Sequence, residues 1–406
     1  MTDMKKITDL TSIQKALEFL QEDDENTLQE QLELCKIPAP SHQEEEKAEC
    51  VRKKMQAIGL DEVHMDAVGN VFGTIKGCGE GPKVLLAAHT DTVFPMKTEL
   101  TIRKESGSYC CPGINDDTRG VAELLSIARA MLKCGIRGEG DIVFCANVCE
   151  EGLGDLKGIK YIFENSHDYD GFVSIDNPVT GGIVYTATGS RRFRVTYRGT
   201  GGHSFADFGR PSPIHALGRA MSRIAEFQVP LQPKTTFNIG VIEGGTSVNT
   251  IAEKASMLID IRSDSPDELE RLTDEMEKAV RQAEIEENKR APKEKGIQAE
   301  VELVGNRPAG TQSEQSRIVR AAWVAAEYLG IVPELRDESS TDANIPISMG
   351  IPAIAVGRGG EEGGVHTVHE WFKPMEAYLG PQKNMLLVLL LSGIEGILDY
   401  QLEKRK

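Results

Sequence analysis

Five short segments of the chain carry histidine and carboxylate residues of the types that bind divalent metals. They are AAHTDTVFP, with His89 and Asp91, GINDDTRG, with Asp116, NVCEEGLGD, with Glu150 and Glu151, VSIDNP, with Asp176, and GGVHTVHEW, with His366. Each segment follows a short apolar run or a glycine-rich turn. A lone His-x-Asp match is weak, because a chain this rich in His and Asp has about an even chance of containing one. The ordered set is a much stronger indication of a two-metal hydrolase site.

The residue types match what a pair of divalent ions requires. Two such ions lie about 3.5–4 Å apart, share a bridging carboxylate, activate a bridging water and take terminal His, Asp or Glu ligands. The assignment that supplies these ligands is Asp116 as the bridge, His89 and Asp176 on one ion, and Glu151 and His366 on the other. The sequence therefore predicts two divalent metals per chain, with zinc first and cobalt or manganese as alternatives.

Two further acidic residues adjoin these ligands. Asp91 lies two residues after His89 and is placed to accept the free ring N–H of that histidine, which would fix its tautomer. Glu150 precedes the predicted ligand Glu151 and is placed to act as the general base near the bridging water.

Some of these residues also have simpler interpretations. Asp176 precedes Asn-Pro, and such a residue taken alone more often begins a turn than binds a metal. His369 is an alternative ligand to His366, although the position of Glu370 in the motif favours His366. Cys149 adjoins Glu150 and is a weaker ligand candidate.

The candidate ligands follow segments that have the pattern of buried strands. Apolar runs at 84–88, 141–149, 172–175 and 353–356 predict strands, and residues 121–134 predict an amphipathic helix that stops at Gly135. Strands that alternate with helices predict an α/β fold with helices on both faces of the sheet. Ligands of such sheets bind beyond the carboxyl ends of the strands, which is where the candidate residues fall.

The middle of the chain has a different pattern. More polar, alternating strands are predicted at RRFRVTYRG, TTFNIGVIEGG, ASMLIDIRS and IQAEVELV, with helices near 212–227 and 266–289 between them. This pattern predicts an inserted α+β domain. We therefore expect a discontinuous metal-binding domain over residues 1–188 and 306–406, and an insert over residues 189–305.

Composition restricts the possible partners. The net charge of −17 argues against nucleic acid and anionic membranes, because phosphate binding needs a basic surface. The sequence shows no apolar run long enough to span a bilayer and no secretory signal pattern. Its eight cysteines lie before residue 150 without a CxxC pair, which favours reduced thiols over a disulfide framework and a cytoplasmic location.

These motifs together resemble the dizinc metallohydrolase family of peptidase T, glutamate carboxypeptidase, succinyl-diaminopimelate desuccinylase and acetylornithine deacetylase. The resemblance covers nearly the whole chain. HTDTVFP is similar to H-x-D-x-V-P, GINDDTRG to G-x-x-D-[DM]-K-x-G, CEEG to the glutamate pair, and HTVHE to H-[ST]-x-x-E. The segments that begin GTGGHSF and GGTSVNT resemble motifs of the family's lid domain. Thr118 and Ala252 depart from the pattern, where the family usually has Lys and Pro.

The resemblance implies a zinc-exopeptidase-like mixed sheet and further roles that spacing alone does not indicate. It implies a cis peptide after Asp116, an insert that is a lid and homodimerisation domain, and His203 as an oxyanion donor to the partner subunit's site. Residues implied to contact substrate are Asn249, Arg262, Asp342 and Asn344. Without the resemblance, His203 could be a turn residue and Arg262 an ordinary surface arginine.

The predicted function is hydrolysis of amide bonds in short peptides, by an exopeptidase of the tripeptidase or aminopeptidase type. A carboxypeptidase or an N-acyl-amino-acid deacylase of the same family is the alternative. A catalytically silent scaffold or regulatory dimer is the alternative from a different class, and the complete ligand set together with Glu150 argues against it.

Overall fold

The structure is a computed structural model that describes residues 2–166, 168–290, 295–337, 339–394, 397 and 401–405. Its helices are α1 (Thr2–Thr8), α2 (Thr11–Glu22), α3 (Asp24–Cys35), α4 (Glu45–Ile58), α5 (Thr118–Lys133), α6 (Lys157–Asn165), α7 (Pro213–Ile224), α8 (Pro266–Arg290), α9 (Arg317–Tyr328), α10 (Asn344–Ser348) and α11 (Leu379–Ser392). Its strands are β1 (Asp61–Met65), β2 (Val71–Ile75), β3 (Val84–His89), β4 (Arg103–Glu105), β5 (Ser108–Cys110), β6 (Ile142–Asn147), β7 (Gly171–Asn177), β8 (Gly182–Val184), β9 (Thr186–Ala187), β10 (Gly189–Arg198), β11 (Gly202–His203), β12 (Thr235–Gly244), β13 (Thr250–Ile251), β14 (Lys254–Ser263), β15 (Gln298–Arg307), β16 (Gly310–Thr311), β17 (Glu334–Arg336), β18 (Ala353–Gly357), β19 (Glu361–Gly363) and β20 (Trp371–Lys373). The chain divides into unit 1, Met1–Ala187 with Thr311–Lys406, and unit 2, Thr188–Gly310.

Unit 1 is built on a mixed sheet with the strand order β1-β2-β6-β3-β7-β18-β8-β17. The adjacent pairs β6–β3, β3–β7 and β7–β18 are parallel. The pairs β1–β2, β2–β6 and β18–β8 are antiparallel. His89 pairs with Asn147 at the end of the β3–β6 ladder. The carboxyl ends of β6, β3 and β7 therefore meet at one edge of the sheet.

Helices cover both faces of this sheet. Successive side chains of a strand point to opposite faces, so those of β3 pack into two different cores. Val84, Leu86 and Ala88 of β3 pack into the core that includes residues of α2, α4, α5, α9 and α11. Leu85 and Ala87 pack into a second core with residues of α6 and α10. The predicted α/β fold with a mixed sheet between helices is confirmed.

Helix α5 is longer than predicted, and unit 1 contains a small second sheet that the sequence does not predict. Helix α5 begins at Thr118, earlier than predicted, because the Asp117 carboxylate accepts the N–H of Gly120 and caps the first turn. It ends before Gly135, whose φ of +64° is the left-handed conformation that glycine favours. A small antiparallel sheet, β19-β20-β5-β4, adjoins the segment that holds His366.

Unit 2 contains an antiparallel sheet with the order β12-β14-β10-β15 and a two-stranded sheet, β11-β13. Apolar residues of α7 and α8 pack with those of the larger sheet into a core of their own. The predicted α+β insert is therefore confirmed. Among the described residues of the whole chain, no helix is both long enough and apolar enough to cross a bilayer.

Candidate metal centre and active site

The predicted ligands come together at the carboxyl edge of the unit 1 sheet. His89 is the last residue of β3, Asp176 lies near the end of β7, and Glu151 follows β6 in a loop. Ligand atoms of His89, Asp116 and Glu151 lie within 4.8 Å of one another, and those of His89, Asp117 and Asp176 form a second such group. The second group shares His89 with the first, so the two possible metal positions are neighbours.

Asp116 lies between the two predicted halves of the site. Its Oδ1 is 3.2 Å from His89 Nε2, and its Oδ2 is 3.1 Å from His366 Nε2. The same His366 nitrogen is 2.7 Å from Glu151 Oε1. The carboxylate thus presents one oxygen to each histidine, which is the arrangement that a bridging ligand requires.

The electrostatics of this cluster favour added positive charge. Hydrogen bonds to Asp116 and Glu151 raise the pKa of His366 to about 10. Burial lowers the pKa of His89, but hydrogen bonds to Asp116 and Asp91 outweigh burial, so this pKa is well above its usual value. Burial and the neighbouring Asp116 charge raise the pKa of Asp176 to about 6. Carboxylates crowded around nitrogen donors fit divalent cations, which supply the missing positive charge.

Asp91 holds the paired glutamates in place. Its Oδ1 accepts the N–H of Glu150 and its Oδ2 accepts that of Glu151, both at 2.9 Å. Ser41 donates its hydroxyl to the same Oδ2 at 2.6 Å. His89 Nδ1 lies 3.1 Å from the Asp91 carbonyl oxygen and 3.5 Å from Asp91 Oδ1. The nearest acceptor of the ring N–H is therefore the Asp91 carbonyl oxygen, whereas the Asp91 carboxylate orients the glutamate segment.

Glu370 fixes the loop that carries Asp116. Its buried carboxylate accepts the backbone N–H groups of Gly113 and Asn115 at 2.8 Å and that of Asp116 at 3.2 Å. The peptide bond between Asp116 and Asp117 is cis, as the resemblance predicts. The Glu370 carboxylate thus supports the loop through its backbone N–H groups.

Thr118, which replaces a lysine of the family pattern, contacts a lysine from another helix. Its hydroxyl donates to Gly113 O at 2.6 Å and accepts from Lys47 Nζ of α4 at 2.9 Å. The Lys47 side chain is buried, and burial lowers its pKa. A buried ammonium group therefore adjoins the Asp116 loop although position 118 is not basic.

Sequence reasoning missed two residues of the centre, Asp117 and Arg358. Asp117 accepts the His89 backbone N–H at 3.1 Å, and Arg358 Nη1 donates to Asp117 at 2.8 Å. The adjacent pair of aspartates could have indicated Asp117, but the family motif assigns the bridging role to Asp116, the first of the two. Arg358 is a single arginine in a glycine-rich turn, and no spacing rule distinguishes it from a surface residue.

The other predicted unit 1 residues lie as follows. His366 has a φ of +63°, and its Nε2 contacts Asp116 Oδ2 at 3.1 Å and Glu151 Oε1 at 2.7 Å. Neither His366 nor His369 is in the two groups of candidate ligands among the described residues. Asp342 and Asn344 are buried. Asp342 accepts from Asn147 at 2.7 Å, next to the end of β3, and Asn344 accepts the backbone N–H of Thr341.

In unit 2, the structure brings His203 and Asn249 together. His203 pairs with Thr250 across β11 and β13, and the Ser204 N–H donates to Asn249 O at 3.0 Å. His203 Nδ1 accepts the N–H groups of Phe205 and Ala206, both at 3.2 Å. Arg262 lies on β14, half-exposed, and donates to Asp260 at 2.7 Å.

This fold and site are those of a hydrolytic enzyme with a candidate metal centre. The family model described as Peptidase family M20/M25/M40 matches residues 85–391, and the chain belongs to this family. The predicted family is thereby confirmed, and the family includes a dinuclear metal-binding peptidase.

Individual relatives extend the comparison over most of the chain. The uncharacterized protein YqjE of Bacillus subtilis is 26% identical over 358 residues, which are 84% of this chain and 92% of YqjE. Succinyl-diaminopimelate desuccinylase of Corynebacterium glutamicum is 27% identical over 237 residues, 56% of this chain and 64% of that enzyme. The crystal structure of a tripeptidase from Staphylococcus aureus has a TM-score of 0.74 and 23% identity, and the match covers 90% of this chain and 97% of that chain.

Proposed function

We propose that this hydrolase is a dinuclear metallopeptidase that removes residues from the ends of short peptides. The observation that carries the proposal is Asp116, whose two carboxylate oxygens lie at 3.2 and 3.1 Å from two different histidines. Such a carboxylate is suited to join two cations. We assign the remaining candidate ligands to the two sides of this carboxylate.

The residues that would hold the metals are divided between two halves of the site. The His89 half consists of His89 and Asp176, the His366 half consists of His366 and Glu151, and Asp116 joins them. Mixed nitrogen and oxygen donors suit zinc, with cobalt or manganese as alternatives. When bound, the two ions would polarise the amide carbonyl and make a water more acidic.

Glu150 is the residue that we place at the proton transfers. Its side chain is buried beside the ligand Glu151, and Asp91 fixes its backbone N–H. A carboxylate in this position can take a proton from the attacking water and deliver it to the leaving amine. The leaving group then departs as a neutral amine.

His203 is proposed to stabilise the developing oxyanion. Because its Nδ1 accepts two backbone N–H groups, the ring proton of the neutral imidazole lies on Nε2, which is left as a donor. Asn249 on the adjoining segment would contact substrate, and Arg262 would bind a substrate carboxylate. Substrate contact by Asp342 and Asn344 stays a prediction, because both side chains are buried.

We further propose that unit 2 is the lid and the dimerisation domain. Large apolar side chains are unusually exposed on the two segments that carry His203 and Asn249. Phe205 is 87% exposed, Phe208 85% and Val248 101%. Exposed aromatic and aliphatic side chains beside a polar donor favour a surface that another chain or a substrate covers. A homodimer in which His203 serves the partner's site is consistent with this surface.

The tripeptidase fold match and the desuccinylase relative favour different substrates. A tripeptidase releases a residue from a free peptide, whereas a desuccinylase removes an acyl group from an amino acid, and both cleave an amide bond. We favour the exopeptidase, in line with the sequence-based prediction. The carboxypeptidase or N-acyl-amino-acid deacylase remains the second candidate.

Metal analysis and a substrate panel test the proposal. We expect two tightly bound divalent ions per chain, loss of hydrolysis in excess chelator, and recovery with Zn²⁺, Co²⁺ or Mn²⁺. The panel would contain dipeptides, tripeptides, amino-terminally blocked peptides and N-succinyl amino acids. Cleavage of free tripeptides but not blocked ones supports the aminopeptidase. Preference for succinyl amino acids supports the deacylase, and full activity in chelator overturns the metal mechanism.

A further inference from the structure

A buried arginine lies among the predicted metal ligands, and the proposed hydrolysis does not use it. Arg358 follows β18, and its side chain is 2% exposed. Its guanidinium contacts four carboxylates, Asp117 at 2.8 Å, Glu362 at 2.9 Å, Asp116 at 3.3 Å and Asp176 at 3.5 Å. A fixed cation therefore lies where divalent cations are expected to bind.

The two shortest contacts of Arg358 do not involve the five predicted ligands. Asp117 is held by the backbone N–H groups of His89 and Gly120, and Glu362 lies in β19 with a side chain that is 3% exposed. The arginine backbone is also fixed, because its N–H donates to Asn177 O at 3.0 Å. The guanidinium would thus keep its place when Asp116 and Asp176 turn to metal ions.

The position of this charge is asymmetric. Arg358 Nη1 is 3.3 Å from Asp116 Oδ1, the oxygen that faces His89. The opposite oxygen, Asp116 Oδ2, faces His366. Asp176, the other ligand that Nη1 reaches, also belongs to the His89 half. The four carboxylate contacts of Arg358 therefore include the predicted bridge Asp116 and Asp176 of the His89 half, but not Glu151 of the His366 half.

We propose that Arg358 is a fixed countercharge that weakens metal binding in the His89 half relative to the His366 half. The inference rests on the proposed two-metal function. Arg358 acts in two ways, by repelling a divalent ion and by competing for the oxygens of Asp116 and Asp176. Arginine stays protonated at all accessible pH values, so its effect is permanent. A unit charge a few ångströms away, at an effective dielectric of about 20, changes a binding constant by at least about tenfold.

Metal titration of the whole 406-residue chain tests this role. Metal-stripped wild type, Arg358→Gln, Arg358→Lys and Glu362→Gln would be titrated with Zn²⁺ and Mn²⁺ by calorimetry with a competing chelator. In wild type we expect two binding events with different Kd values. Arg358→Gln should lower the Kd of the weaker event by about tenfold or more, with a much smaller change in the tighter event. Arg358→Lys retains the charge and should retain most of the difference.

Glu362→Gln provides a test of opposite sign. It keeps an acceptor for Arg358 but removes the negative charge that partly neutralises the guanidinium, so the weaker event should become weaker by severalfold. This variant also remains informative if Arg358→Gln fails to fold, which unfolding curves would reveal. Titration of a His366→Asn variant assigns the halves, because the event that persists there belongs to the His89 half.

The outcomes separate this inference from the proposed function. A wild-type chain that binds one ion overturns the two-metal proposal itself. If two ions bind and neither Arg358→Gln nor Glu362→Gln changes the ratio of the two Kd values, the role of Arg358 is overturned but the two-metal proposal is not. Equal weakening of both events in Arg358→Gln shows that the arginine only supports the fold and also overturns the role.

Discussion

Glu150 and Glu151 are neighbours in the chain with different surroundings. Glu151 Oε1 lies 2.7 Å from His366 Nε2, within the cluster of candidate ligands. The Glu150 carboxylate is in neither candidate ligand group among the described residues, although its backbone is held by the same Asp91. Two adjacent residues of one chemical type can therefore have separate roles, one as ligand and one as base.

This difference predicts the behaviour of a matched pair of variants. Glu150→Gln should keep both metals and lose turnover by about 10²–10⁴-fold, because the amide cannot take or deliver the proton. Glu151→Gln should instead lower metal content. Metal analysis and steady-state kinetics on the same preparations check both expectations. If Glu150→Gln loses metal and recovers when metal is added, Glu150 is the ligand and the assignment of the pair is reversed.

The spacing of residue types predicted much of this cluster, for a physical reason. His89, Glu151 and Asp176 follow continuous apolar runs, and parallel strands bring their carboxyl ends to one edge. Asp117 and Arg358 could not be found in the same way. Their positions depend on contacts between segments 241 residues apart, which no local pattern records.

At the scale of elements, predictions were best where the apolar pattern was continuous. The run at 84–88 became β3, and that at 353–356 became β18, with a one-residue extension in each case. Helix α5 begins three residues before the predicted start because its cap is Asp117, a residue of the candidate metal centre. The short strands β19 and β20, which flank His366, were not predicted, since three-residue strands have no distinctive periodicity.

Helix α11 carries a buried lysine beside the buried polar residues Asn384 and Glu123. Lys383 is 3% exposed and donates to Asn384 Oδ1 at 2.8 Å. Burial lowers its pKa to about 8, and attraction to Glu123 only partly opposes this. The charged form is thus disfavoured in the folded protein relative to the unfolded chain, where the pKa is about 10.4.

The effect of Lys383→Met on the stability of unit 1 should therefore depend on pH. The destabilisation by Lys383 is fully present below pH 8 and disappears as pH rises through the unfolded pKa, since the neutral amine carries no burial penalty of charge. We expect the free energy of unfolding of the variant, relative to wild type, to be about 1–3 kcal/mol larger near pH 7 than near pH 10.5. Unfolding curves at both pH values measure it. Leu386→Met on the same helix is the control, and an equal pH trend there would contradict the explanation.

At the scale of the whole molecule, the two units have separate cores and different strand patterns. Unit 1 has a mixed sheet with helices against both faces, and unit 2 has an antiparallel sheet with its own core. The apolar runs change from continuous to alternating near residue 190, and strands β12 and β15 of unit 2 have many exposed side chains. The periodicity of unit 2 does not indicate whether it contacts a second chain, so the proposed homodimer is tested through His203.

His203 tests the architecture together with the chemistry. If unit 2 supplies Nε2 of His203 to a neighbouring chain's metals, a monomer should be nearly inactive. His203→Ala should lower turnover by about 10²-fold, the usual loss for one oxyanion donor, with metal content unchanged. Asp207→Asn is a control for loop disruption, because Asp207 accepts the His203 backbone N–H at 2.8 Å without reaching substrate in this proposal.

Mixed chains then decide whether the histidine acts across the dimer. Neither His203→Ala nor Glu150→Gln should be appreciably active alone, and mixing them should restore activity. One site of such a heterodimer combines an intact Glu150 with the partner's intact His203, so up to about half of the wild-type activity per heterodimer should return. Sedimentation and mass spectrometry would establish that heterodimers have formed. Absence of recovery in a mixture that contains them would mean that His203 serves its own chain or has no part in catalysis.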